Sequence, residues 1–181
     1  YRKLANGPYS YLFESVEGGE NWARYSLIGL EASKIISIKK NIIEIQSNGE
    51  IIDSFNSDDP LGYIDELQRS FELKQNKNLP IFNGGLVGYF GYDCVRYIEN
   101  KLVDSEPPDQ IGTPDALFMV SDEVAVFDNL KNKLHLIVLI ESQDDIEKAN
   151  ARLDELEENL KTSLPYEDFV KPVKSIEEKD F

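Results

Sequence analysis

Glu14, Ser15, Arg24 and Tyr25 fall within the stretch YSYLFESVEGGENWARYSLIGL, Tyr9 to Leu30, among large apolar neighbours. A carboxylate, a hydroxyl, a guanidinium and an aromatic ring gathered in this way suit a small zwitterion. An amino-acid ligand needs a carboxylate for its ammonium, a donor or cation for its carboxylate, and an apolar wall for its side chain. Glu14 can meet the first need, Ser15 or Arg24 the second, and the strand neighbours and aromatic rings the third. Successive strand residues point to opposite faces. Glu14 and Ser15 therefore share a pocket only if a bulge turns one of them or backbone groups substitute. The same residues also suit a turn and the rim of a sheet, and their chemistry alone leaves both readings open.

Elsewhere the chain offers little to a reacting substrate. The glycine-rich run FNGGLVGYFGYD, Phe82 to Asp93, lacks the G-x-x-x-x-G-K-S/T of a phosphate loop. The spacing of Gly85, Gly88 and Gly91 is not G-x-G-x-x-G, and no helix follows directly to receive a phosphate. These glycines predict close packing of backbone on backbone, or bulges in a strand pressed against another sheet. His135 is the single histidine; it sits within a strand pattern and has no second ligand nearby to hold zinc. Cys94 has no nucleophile context and reads as a buried thiol. Asp58-Asp59 and Asp144-Asp145 open helices or face solvent. No catalytic or metal-ligating residue is expected in this chain.

The positioning elements follow from periodicity. Tyr9 to Val16 alternates, with Tyr9, Tyr11, Phe13 and Ser15 on one face and Ser10, Leu12, Glu14 and Val16 on the other. Gly18-Gly19 breaks it, and Arg24 to Leu30 is a second strand with Tyr25 and Leu27 facing one way. Lys34 to Lys40, Ile42 to Ser47 and Ile51 to Phe55 form an antiparallel meander, with Asn48-Gly49 as a hairpin turn. Asp58-Asp59-Pro60 opens a helix carrying Leu61, Ile64, Leu67 and Phe71 at helical spacing. Cys94 to Glu99 reads as a short helix. Ala116 to Phe127 reads as one alternating run that turns through Asp128-Asn129 and Lys131-Asn132 into Lys133 to Ile140. Ile146, Ala149, Leu153, Leu156 and Leu160 mark an amphipathic helix over Asp144 to Leu160. Hairpins with few helices predict the α+β class, antiparallel sheets covered by helices.

Composition narrows the partners. The 181 residues fit one domain or slightly more, and 41% hydrophobic content supports a core. A formal net charge of −15 repels phosphate backbones and anionic lipid, so neither nucleic acid nor a membrane surface is an expected partner. One cysteine excludes an intrachain disulfide and suits a reducing cytoplasm. No apolar run approaches the ~20 residues of a membrane span. The chain starts at Tyr1 without a methionine, and Phe181 follows an acidic helix-like tail. Both ends suggest a piece of a longer protein.

Three blocks carry a family resemblance: PYSYLFESVEGGENWARYSLIGLEA, GGLVGYFGYDCVRYIE and PDALFMVSDEVAVFDNLKNKLHLI. In order, and across nearly all of Tyr1 to about Leu160, they resemble the N-terminal region of anthranilate synthase component I, a chorismate-utilising enzyme. The resemblance implies the N-terminal half of that αββα-type fold, with a regulatory domain over residues 1–165. Residues 166–181 would then be a linker to a catalytic chorismate-binding domain. For the whole protein it implies conversion of chorismate and glutamine or ammonia to anthranilate and pyruvate, a lyase reaction requiring Mg²⁺. It also implies a glutamine amidotransferase partner, component II, and feedback inhibition by L-tryptophan. The family's motif on the first strand, part of the inhibitor site, reads Leu12-Phe13-Glu14-Ser15 here, with Phe13 where a second leucine is common. The family's basic residue on the next strand corresponds to Arg24, beside Tyr25. The catalytic glutamates, histidine and lysine have no counterparts in this chain, which is expected to be inactive alone. Aminodeoxychorismate synthase component I is the nearest alternative, and a free-standing amino-acid-binding module is another.

Overall fold

β-Branched alternation and turn residues divide the chain into two antiparallel sheets in the computed structural model, which describes residues 1–14, 24–71, 78–99, 101–102 and 109–163. The first sheet contains β1 (Tyr11–Glu14), β2 (Tyr25–Gly29), β8 (Glu123–Asp128) and β9 (Lys133–Val138), in the order β1-β2-β8-β9. The second contains β3 (Lys34–Lys39), β4 (Ile42–Ser47), β5 (Glu50–Asn56), β6 (Gly85–Phe90) and β7 (Ala116–Ser121), in the order β5-β4-β3-β7-β6. The helices are α1 (Pro60–Ser70) and α2 (Ile146–Lys161). The architecture is α+β, as the hairpin signals indicate.

The meander closes through left-handed residues, Asn48 at φ 50° and Gly49 at φ 84°, the backbone that a two-residue hairpin turn demands. Its inner face lines up Ile36 against Ile45 and Ile38 against Ile43. These pack with Phe118, Ala116 and Ile64 of α1, while Tyr63 and Leu67 widen the contact. Asp59 caps α1, accepting a 2.9 Å hydrogen bond from the Gly62 N–H, and Pro60 follows where no intrahelical donor is needed. Asp59→Ala is expected to lower stability by about 1 kcal/mol. Urea unfolding followed by circular dichroism measures it, and an unshifted midpoint would show that α1 needs no side-chain cap.

The first sheet is apolar on both faces. Ile28 and Ala125 face Leu156 of α2, with Leu134, Leu136 and Val138 beside them. Arg152 of α2 grips Glu123 with two nitrogens, Nε and Nη2, each at 2.9 Å from an oxygen, and this fixes the helix to β8. The opposite face carries Val124, Val126 and Ile137, packed with Tyr25, Leu27, Phe82 and Leu139.

Four expectations change. Ala116 to Phe127 is not one strand: Ser121 pairs with Gly85 in the second sheet, and Glu123 pairs with Val138 in the first. The chain switches sheets at Asp122, where burial pushes the carboxyl pKa up. Alternation continues through the switch, so a two-residue period cannot report it. The first strand begins at Tyr11, because Tyr9 takes φ 54° and leaves the ladder. Ser15 and Val16, expected to continue it, lie outside the described residues, as do Gly18-Gly19 and the expected domain boundary. The short helix is a 3₁₀ turn over Tyr92–Tyr97, slightly earlier than expected. Finally, β6 pairs with β7 without a register shift, so it holds no bulge; Gly88 reflects close packing, whereas Gly85 has open space and a φ of 123°. A β-carbon on Gly88 would lie 1.9 Å from the Leu117 carbonyl oxygen.

Candidate functional site

β1 and β2 bring the opening stretch together. Phe13 lies opposite Leu27 and Glu14 opposite Ser26, while Tyr25 lies opposite Asp128 on β8. Tyr11 and Phe13, two residues apart on one strand face, stack with ring centres 4.9 Å apart. The Tyr11 hydroxyl is buried against the Ser121 hydroxyl at 2.8 Å, which ties β1 to the second sheet. Burial pushes the Tyr11 phenol pKa up.

Beyond Phe13 opens a cleft of about 340 Å³. Phe13, Glu14, Tyr25 and Leu27 line it from the strands, and Pro80, Ile81 and Phe82 close its far side. Phe82 packs onto the apolar face of the first sheet, whereas Ile81 is 91% exposed at the rim. The cleft is thus an apolar trough that Glu14 borders at the end of β1, where the strand period sets that residue on the Leu12 face and not on the Phe13 face.

Arg24 stands beside it. Its Nη2 donates to Asp128 Oδ2 at 3.1 Å and its Nε to Oδ1 at 3.4 Å. Its guanidinium carbon lies 4.7 Å from the centre of the Tyr25 ring. The hydrogen bonds to Asp128 push the Arg24 pKa up, and those from Arg24 hold the Asp128 carboxyl below the usual range.

Among the expected residues, Glu14 and Tyr25 line the cleft and Arg24 flanks it through Tyr25. Leu12 does not join them: it pairs with Ile28, on the face turned toward α2. Ser15 lies outside the described residues. Sequence reasoning missed Pro80, Ile81, Phe82 and Asp128. Pro80-Ile81-Phe82 carries no pattern that marks it as a wall. Asp128 gave one signal, its place at a turn.

Other regions do less. A cavity of about 630 Å³ lies between the sheets, lined by Glu31, Asp122, Glu123 and Arg152 among others, but Arg152 is already committed to Glu123. Another lies beside Lys39, which binds Asp109 and the Thr113 carbonyl. The hydrogen bond from Lys39, followed by those from the Gly112 and Ile111 N–H groups, lowers the Asp109 pKa to about 2. The Cys94 thiol is buried, donates to the Asp115 carbonyl at 3.1 Å and has its pKa pushed up by burial, so it is no thiolate nucleophile. Among the described residues no group of His, Cys, Asp or Glu is arranged to hold a metal ion, and no helix is long and apolar enough to cross a membrane.

A family described as chorismate binding enzyme matches residues 16–180, and the chain belongs to that family. Within it the chain is similar to anthranilate synthase component 1. It is 47% identical to the protein of that name from Pseudomonas aeruginosa over 166 residues, 91% of this chain and 34% of that protein. Against the Neisseria meningitidis serogroup B protein it is 41% identical over 168 residues, 90% of this chain and 34% of the other. The crystal structure of anthranilate synthase component I from Streptococcus pneumoniae TIGR4 matches with a TM-score of 0.59 at 28% identity, covering 83% of this chain and 34% of that one. The chain thus spans about a third of the length of these relatives.

Proposed function

We propose that this chain is the N-terminal, tryptophan-sensing part of an anthranilate synthase component I. The whole protein, in this reading, converts chorismate and ammonia, supplied by a cytoplasmic glutamine amidotransferase partner, to anthranilate and pyruvate. The observation that carries the sensing role is the trough itself: an apolar cleft with Glu14 at its lip and Arg24 held alongside. A carboxylate and a guanidinium beside an aromatic-lined slot are the counter-groups of an α-amino acid, whose ammonium and carboxylate share one carbon. Glu14 takes the ammonium, Arg24 the carboxylate, and Phe13, Tyr25 and Ile81 flank the indole. The Ser15 hydroxyl adds a donor in the same reading.

Chemistry is assigned elsewhere in the protein. The described side chains are not grouped to hold the Mg²⁺ that the reaction requires. This chain's part is regulation. A ligand controls a distant site only by preferring one arrangement of the protein over another, typically by ~1–3 kcal/mol. Because such coupling is reciprocal, chorismate should weaken tryptophan binding by the same factor by which tryptophan weakens chorismate binding.

Two measurements on the full-length protein test this. With chorismate, Mg²⁺ and ammonia it should release fluorescent anthranilate; accumulation of aminodeoxychorismate instead would assign the other branch of the family. Calorimetric titration with tryptophan should show weaker binding in saturating chorismate. Equal affinity under both conditions would remove the sensing role.

A further inference from the structure

We propose that Asp128 is the positioning residue of the amino-acid site, fixing the Arg24 guanidinium in the orientation that receives a ligand carboxylate. The proposal rests on the sensing role given above to the Glu14 cleft.

The carboxylate, not the arginine, is the anchored partner of the pair. The Asp128 side chain is 3% exposed, against 41% for Arg24. The turn after β8 immobilises Asp128, since its Oδ1 also accepts the Lys131 N–H at 3.1 Å. From that fixed point it holds one edge of the guanidinium, using Nε and Nη2. A guanidinium fork has five N–H groups, and among the described residues no hydrogen bond engages Nη1, the side that would serve a second carboxylate. The main chain adds a further clamp, because the Arg24 carbonyl accepts the Asn129 N–H at 2.8 Å. Tyr25 completes the arrangement: it pairs with Asp128 across the strands, lies under the guanidinium and lines the cleft.

Asp128 also offsets the positive charge of Arg24, which by itself would weaken an anion contact. An α-amino acid is a zwitterion without net charge, however, so it gains little from the site's net potential and much from directed hydrogen bonds. Orientation therefore decides the sign, and losing Asp128 weakens binding. Lysine cannot replace Arg24, because a point charge on a flexible stem does not present a planar fork to two carboxylates at once.

The test is calorimetry on the full-length protein with two probes, L-tryptophan and tryptamine, which lacks the carboxylate. Asp128→Asn keeps the Oδ1 acceptor of the turn, and removes the charge and the Oδ2 acceptor that holds Arg24 Nη2. Its affinity for tryptophan should fall about tenfold or more, as expected for a lost charge-assisted contact, with tryptamine binding unchanged. In an Arg24→Gln background the same substitution should have no further effect. Equal losses for both probes, or none, would make Asp128 only a turn residue. Should Asp128→Asn fail to fold, Arg24→Lys decides: selective loss of tryptophan supports the proposal, and full retention overturns it. If the unmodified protein binds no tryptophan, the sensing role itself fails, a result distinct from each of these.

Discussion

Gly88→Val is expected to leave the chain without a stable second sheet. The β-carbon alone would sit 1.9 Å from the Leu117 carbonyl oxygen and 2.8 Å from the Phe118 α-carbon. Both are backbone atoms of β7, the strand that joins β6 to β3. No side-chain rotation relieves such a contact, so β6 must detach or β7 must shift. A shift of β7 would disturb Ala116 and Phe118, which lie in the core beneath α1. Overpacking typically costs ~1–3 kcal/mol and occasionally more, and a contact with backbone that no side chain can relieve belongs at the upper end, against the ~5–15 kcal/mol that holds a typical domain together. Urea unfolding and near-ultraviolet circular dichroism should show a lost or strongly shifted transition. An unchanged midpoint would mean that β6 does not approach β7 as described.

Glu14→Gln should desensitise the full-length enzyme to tryptophan. The substitution keeps the shape of the cleft lip and removes the charge that the ligand ammonium requires. A hydrogen bond to a charged group is worth ~1.5–3 kcal/mol, so the inhibition constant should rise roughly tenfold to over a hundredfold. Each variant's inhibition is read against its own uninhibited rate of anthranilate release. Glu14 is assigned the ammonium and Arg24 the carboxylate on the same ligand carbon; tryptamine keeps the ammonium, so it should lose affinity with Glu14→Gln. An unaltered inhibition constant would place the ammonium elsewhere.

Local signals in the sequence predicted the elements whose cause is local. Asn48-Gly49 gave its hairpin because few residue pairs accept that backbone. Asp59-Pro60 marked the start of α1 through the needs of unpaired helix donors. The helical spacing from Ile146 to Leu160 marked α2, where Leu156 is buried in the core and Ile146 is exposed. Gly88 of β6 meets the expected close backbone approach, whereas Gly85 is there for its left-handed backbone. What escaped depends on distant partners. Nothing in Ala116 to Phe127 announces that its two halves bond to different sheets, because both halves alternate alike. Pro80, Ile81 and Phe82 meet Phe13 and Tyr25 only through the tertiary fold. Arg24 was singled out without its partner, since Asp128 lies on the far side of the second sheet in the chain order. At Leu12 the strand period was right, and it turns that residue toward α2.

The passage of the chain from β7 to β8 at Asp122 also sets a timetable for synthesis. β3, β4 and β5 are neighbours in sequence and can pair as soon as they emerge. β2 must wait: its second partner, β8, is made about a hundred residues later, a long-range closure of the kind that slows folding. During that interval the nascent hairpin of β1 and β2 has no sheet to join, and its apolar side chains remain available to chaperones. Ribosome-bound intermediates ending before Glu123 should accordingly protect β3–β5 amides from exchange while leaving those of β2 open.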